Sequence, residues 1–134
     1  YISQDGSSGL EAALTDAGYA EWGCFGIYVG ATGIAIGTGK SNTDTIIDKC
    51  KEATAAKLAR NYEWPSGQND GFLPSFFELE ELFKHKDKVV GFTSGYYWTS
   101  TEVNIYNAVA LNFDVVTCSF IKLNTCLVRA VRAF

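Results

Sequence analysis

The order in which hydrophobic patterns follow one another constrains the fold of this chain more than any single motif. Apolar residues recur at helical spacing between positions 42 and 84, and from 95 onward the chain turns to short β-rich runs without a proline. Two helices followed by a series of strands predict an α+β architecture, with both helices on one side of an antiparallel sheet. The strands are expected at Tyr96 to Thr101, Tyr106 to Phe113, Thr117 to Ile121 and Leu127 to Phe134. Gly26 to Val29 reads as an earlier strand. The first helix is expected over 42–61, capped by Asn42 or Thr43, with Asp44 near its positive end and Lys57 and Arg60 in its last turn. Its apolar side would carry Ile46, Ile47, Cys50, Ala53 and Leu58. The second helix, over 75–84, follows Pro74. Ser75 and Glu78 make a Ser-x-x-Glu capping box, and Leu79, Leu82 and Phe83 make the apolar side.

A chain of 134 residues fits one domain spanning 1–134, and 47% apolar residues can fill its core. Trp98, Phe113, Val128 and Val131 are the expected core members near the C-terminus. The net charge is −4, so nucleic-acid binding has no electrostatic support. The one basic cluster, Lys84-His85-Lys86-Asp87-Lys88, reads as a solvated helix end. No apolar run reaches membrane-spanning length, so no membrane insertion is expected. The chain begins at Tyr1 rather than Met, which reads as a processed or trimmed product.

The sites of familiar chemistry are poorly represented. Residues 30–40 are glycine-rich and end in Lys40-Ser41, but a phosphate-binding loop needs glycine six residues before the lysine, where Ile34 stands. The four cysteines, Cys24, Cys50, Cys118 and Cys126, form no Cys-x-x-Cys pair, and His85 is the only histidine, so a zinc site is not expected. Cys24 and Cys50 read either as a disulfide in an exported protein or as two buried thiols. Glu78, Glu80 and Glu81 read as a helix-starting acidic cluster, and no local nucleophile–base signature is present. The expectation is a non-enzyme without a cofactor.

Several short segments stand in a telling order. They are Glu21-Trp22-Gly23-Cys24, Ala35-Ile36-Gly37-Thr38-Gly39-Lys40, Phe72-Leu73-Pro74-Ser75 with Glu78-Leu79, Tyr97-Trp98-Thr99-Ser100-Thr101-Glu102, and Val128-Arg129-Ala130-Val131-Arg132. From about Leu10 to Phe134 the chain resembles the bacterial domain found at the C-terminus of the Legionella collagen-like protein, which implies a C-type-lectin-like fold. Gly71 departs from that pattern, because relatives tend to carry Trp before Phe-Leu-Pro. Sugar-binding C-type lectins use calcium and a Glu-Pro-Asn motif; the only prolines here are Pro65 and Pro74, so no calcium site is expected on the C-terminal face. Formylglycine-generating enzymes share the broader fold and use cysteines near the chain end, which would nominate Cys118 and Cys126.

The last third also resembles a variable protein of a diversity-generating retroelement. Such systems mutate template adenines, so AAY codons become NNY codons, which cannot encode Lys, Glu, Gln, Trp or Met. From Val103 to Val128 the only residue of those types is Lys122. Ala108, Asn112, Phe113, Asp114 and Lys122 read as fixed framework. The candidate ligand-binding positions are Val103, Asn104, Ile105, Tyr106, Asn107, Val109, Leu111, Thr117, Ser119, Phe120, Ile121, Leu123, Asn124, Thr125 and Leu127. Two features favour a surface over ordinary strands: runs 115–121 and 123–127 show no clean alternation, and no glycine turn separates them. Tyr106, Phe120, Ile121 and Leu123 would form an apolar patch, so the expected partner is a macromolecule, a protein rather than a free sugar. Trp98 reads as core, and Arg129 and Arg132 are expected to pair with carboxylates such as Glu102. The resemblance implies display on a bacterial cell surface or phage particle. A fixed-specificity adhesin or lectin-like domain is the alternative.

Overall fold

A computed structural model describes residues 9–52, 54–85, 91–112, 114 and 116–134. Near the ends of the chain, β1 (Leu10–Ala12) pairs antiparallel with β7 (Val131–Ala133). Five strands make the main sheet: β2 (Gly18–Glu21), β3 (Tyr97–Glu102), β4 (Asn107–Leu111), β5 (Thr117–Ile121) and β6 (Thr125–Val128), in the order β2-β6-β3-β4-β5. The helices are α1 (Gly39–Lys49), α2 (Ala55–Arg60) and α3 (Phe76–Lys84). The architecture is α+β, with strands and helices segregated along the chain.

The sheet is mixed rather than antiparallel. After β5 the chain returns on the far side of β3, and β6 meets β3 in a short parallel pairing at Tyr97↔Leu127. Nor do the helices share one side. Successive strand residues face opposite ways, and both neighbours are sealed: Tyr97 belongs to a core with Leu79, Leu82 and Phe83 of α3, while Trp98 belongs to a core with Ile46, Ala55 and Ala59 of α1 and α2. Leu111 and Ala110, and Leu127 and Val128, divide in the same way. A strand covered on both faces is apolar at successive positions, which explains the missing alternation in the 123–127 run that leads through β6. That irregularity is a mark of double burial and carries no information about exposure. By contrast β5, at the sheet edge, alternates: Thr117, Ser119 and Ile121 are exposed and Cys118 and Phe120 half-buried.

The expected helix over 42–61 is two helices. Cys50 has an extended backbone (ψ 114) at the end of α1 because it is tied to Cys24 by a disulfide, and extended Thr54 begins α2. Of the two sequence readings of this pair, the disulfide is the one formed, with Cα atoms 5.5 Å apart. Asn42 and Thr43 are not caps, since α1 starts at Gly39. Their side chains turn inward instead: Asn42 brackets Gly33, and Thr43 Oγ1 accepts the Leu73 N–H at 3.0 Å. The Ser75–Glu78 capping box is present, and the Ser75 N–H donates to Glu78 Oε1. Glu78 also accepts the Gly37 N–H, so its buried carboxylate fastens the 33–39 loop to α3. Gly26 to Val29 is loop, not strand, for a reason that belongs to the site below. Ala53, Phe113 and Lys86 to Lys88 lie outside the described residues.

Candidate functional site

The exposed C-terminal surface is assembled from three pieces. The turn between β3 and β4 presents Val103, Asn104 and Tyr106, the outer side of β5 presents Thr117, Ser119 and Ile121, and the β5–β6 connection presents Leu123, Asn124 and Thr125. Tyr106, Ile121 and Leu123 are 50%, 48% and 54% exposed. Ile105, Asn107 and Phe120 are half-buried. Phe120 packs against Tyr96 and Trp98, with ring centroids 4.8 and 6.4 Å apart.

Three candidate positions are corrected. Val109, Leu111 and Leu127 are buried. Leu111 and Leu127 pack in the core beneath α3, and Val109 sits inside β4 between β3 and β5. They are central-strand residues with no route to a ligand.

The β3–β4 turn is held by one of its own side chains. Asn104 Oδ1 accepts the N–H groups of Tyr106 and Asn107 at 2.8 and 2.9 Å, an Asx turn that needs no glycine. Asn112 does the same for Asp114 and Val116 before β5. These bonds fix the backbone at both ends of the hairpin while neighbouring side chains remain outside.

Beneath the surface lies a buried ion pair. Lys122 Nζ and Glu102 Oε2 are 2.8 Å apart, and both side chains are fully buried. Glu102 also accepts the N–H groups of Val29 and Gly30, each at 2.8 Å. Lys122 Nζ donates to the Ile27 carbonyl at 3.1 Å and lies over the Trp22 ring. The charges are therefore fully dressed with partners, as burial requires. This arrangement also explains why 26–29 is not a strand: its polar backbone groups are taken up by a carboxylate and an ammonium instead of a neighbouring chain.

That strut holds the 24–30 loop against the β3–β4 turn, where the Gly26 N–H donates to the Ile105 carbonyl at 2.8 Å and the Phe25 and Tyr106 rings stand 5.3 Å apart. The loop adds exposed Phe25, Ile27 and Tyr28 to the surface. Sequence reasoning missed them, although three large apolar residues in a glycine-flanked segment were a usable signal. Cys24 anchors the loop from below. It is the one non-glycine with positive φ (53) among the described residues, held there by the disulfide and by its N–H bond to Glu52. That bond lowers the Glu52 pKa below the usual carboxylate range. A cleft of about 260 Å³ opens between Glu21, Phe25, Glu52 and Leu123 at the rim.

The surface carries little charge. Between 103 and 127 the only described charged residues are exposed Asp114 and buried Lys122. Arg129 and Arg132 do not reach Glu102, which lies at the opposite end of β3 from them. Arg129 pairs with Asp16 and lies over Phe92; Arg132 pairs with Asp70 and Glu11. The Arg132 bond holds the Asp70 carboxyl below its ordinary value. Burial pushes the Cys126 thiol up to about 12, which keeps it protonated, the reverse of an activated thiolate. Cys118 Sγ sits 3.3 Å from the Tyr96 hydroxyl. Among the described residues no group of three or more His, Cys, Asp or Glu side chains is placed to hold a metal ion, and no helix is long and apolar enough to cross a membrane.

Comparison with protein-family models gives no match, and comparison with curated proteins gives none either.

Proposed function

We propose that the chain is a recognition domain with a C-type-lectin-like fold, displayed on a bacterial surface or phage particle, whose exposed C-terminal surface is diversified by a retroelement and binds a protein ligand. One observation carries the reading. Within 103–128 the single residue that NNY codons cannot encode, Lys122, is a fully buried strut, while Val103, Tyr106, Thr117, Ser119, Ile121, Leu123, Asn124 and Thr125 are exposed. Diversification is tolerable only where side chains contribute little to the core, and this segregation supplies that condition. The exposed aromatic and aliphatic groups, with few charges among them, favour a protein over a free sugar.

The test is genetic and biochemical. Sister genes should differ at the exposed positions and keep Lys122, with a nearby near-copy carrying adenines at the differing codons. Differences spread evenly over Val109, Leu111 and Leu127 would defeat the proposal. Sister genes invariant throughout 103–127 would instead indicate a fixed-specificity adhesin.

A further inference from the structure

The cleft at the rim of the recognition surface joins fixed walls to a variable one. Glu21, Phe25 and Glu52 line it from outside the 103–127 window, and Leu123 lines it from within. Phe25 is 43% exposed and its ring meets Tyr106, so the cleft is continuous with the β3–β4 turn. Its volume of about 260 Å³ lies just below the roughly 300–1,000 Å³ of small-molecule pockets, a size suited to a single side chain. The walls are held in place beforehand. The disulfide and the Gly26 bond to the Ile105 carbonyl fix the segment that carries Phe25, and Glu52 is tied to the Cys24 N–H at 2.8 Å. A ligand group entering here therefore meets little ordering cost.

The charge of the cleft is unbalanced. Glu21 and Glu52 are both exposed, and among the described residues no ion pair engages either. Lys57, whose charge Glu52 feels, donates to the Lys51 carbonyl at 2.7 Å. Lys122 also belongs to the wall, but it is fully buried and neutralised by Glu102. An apolar group filling this space would strip water from two carboxylates and give them no partner. An acidic group would be repelled. A basic group satisfies both, and its methylene stem can cover Phe25 and Leu123. Arginine suits the walls best, because its planar guanidinium both forks onto carboxylates and stacks on an aromatic ring.

We propose that this cleft takes an arginine side chain of the protein ligand, its guanidinium donating to Glu21 and Glu52 and its stem lying along Phe25 and Leu123. The protein ligand, and the constancy of Glu21, Phe25 and Glu52 among sister proteins, rest on the function proposed above; the preference of the cleft for arginine does not. NNY codons cannot encode Glu, so the diversified window cannot supply carboxylates of this reach and the fixed framework does. Sister proteins then share one charged anchor point and vary the wall beside it at position 123.

Nuclear magnetic resonance titration of the nitrogen-15-labelled chain tests this, with N-acetyl-arginine methylamide as the probe and its norleucine counterpart as the uncharged control. The arginine probe should shift the amides of Gly23, Cys24 and Phe25 with a dissociation constant on the order of 10 mM, and norleucine should bind at least about fivefold more weakly. Glu21→Gln with Glu52→Gln should weaken the arginine probe at least about fivefold. Glutamine at 52 keeps an oxygen for the Cys24 N–H, and Glu21→Gln alone, which should account for part of the loss, touches no bond of the described fold. Phe25→Ala should weaken the probe about threefold. Leu123→Asp, a change open to NNY codons, should strengthen it. Dispersion of the same spectra shows that each variant is folded. No shift at Gly23 to Phe25 with about 50 mM arginine probe, equal binding of norleucine, or indifference to the paired glutamine substitutions would each overturn the proposal. The titration reads the cleft alone, whereas the comparison of sister genes reads diversification, so either can fail without the other.

Discussion

At the scale of single residues, the Lys122–Glu102 pair governs the surface above it. Replacing Lys122 with Met leaves Glu102 buried and charged without its cation, and should cost about 3–5 kcal/mol in denaturant unfolding. Lys122→Met combined with Glu102→Gln should recover a good part of that loss, because no uncompensated charge remains and the amide oxygen can still accept one loop N–H. A double variant no more stable than the single would show that the ion pair is not the source. Asp70 gives a pH dependence of definite sign. Its pKa is depressed in the folded state by Arg132, so its contribution is present above the ordinary carboxylate pKa of 3.8 and is lost as pH falls through the lowered value. Asp70→Asn should therefore be less stable than the parent near neutral pH, and the difference should shrink as pH falls below the ordinary carboxylate pKa, by denaturant titration at each pH. Cys126 is buried and its thiol pushed up to about 12, so iodoacetamide should leave it unmodified in the native protein and label it only after unfolding.

At the scale of elements, the helical pattern of 42–61 was legible and the break inside it was not. Hydrophobic periodicity continues through Cys50, and nothing local stops the helix there; the stop comes from Cys24, 26 residues earlier, through the disulfide. Closing a loop of that length stabilises a fold by about 3 kcal/mol in the chain-entropy description. Reduction, or Cys24→Ser with Cys50→Ser, should lower stability by that order. It should also raise amide exchange in 24–30 before the β-sheet is affected, because Cys24 is the loop's lower anchor. Equal exchange throughout the chain would contradict that order of release. The capping box at Ser75–Glu78 was readable because its geometry is contained in four residues. The β strands were read as runs but not as partners. Leu127 to Phe134 proved to be parts of β6 and β7 in two different sheets, a division that only pairing partners can define.

At the scale of the whole molecule, the inner strands β3, β4 and β6 are buried on both faces, while the terminal strands β2 and β5 and the turns beside them reach solvent. That arrangement predicts two classes of response within 103–127. Randomising Val103, Tyr106, Thr117, Ser119, Leu123 and Asn124 together should leave a cooperative unfolding transition, each change falling within about 0.5 kcal/mol. Leu111→Ala or Leu127→Ala, in the same window but inside the core, should cost about 2–5 kcal/mol each. Thermal unfolding of a small library separates these classes, and equal sensitivity at both sets of positions would remove the distinction on which the proposed recognition surface stands.

The sequence alone determined the α+β succession, the capped start of α3 and the burial of Trp98, because each follows from local spacing or residue chemistry. Tertiary structure decided which members of the 103–127 window are exposed, which carboxylates serve Arg129 and Arg132, and why a lysine sits among uncharged neighbours. Those answers depend on the second face of the sheet and on partners up to 113 residues away, such as Asp16 for Arg129. A periodic pattern records that a residue is covered; it does not record by what.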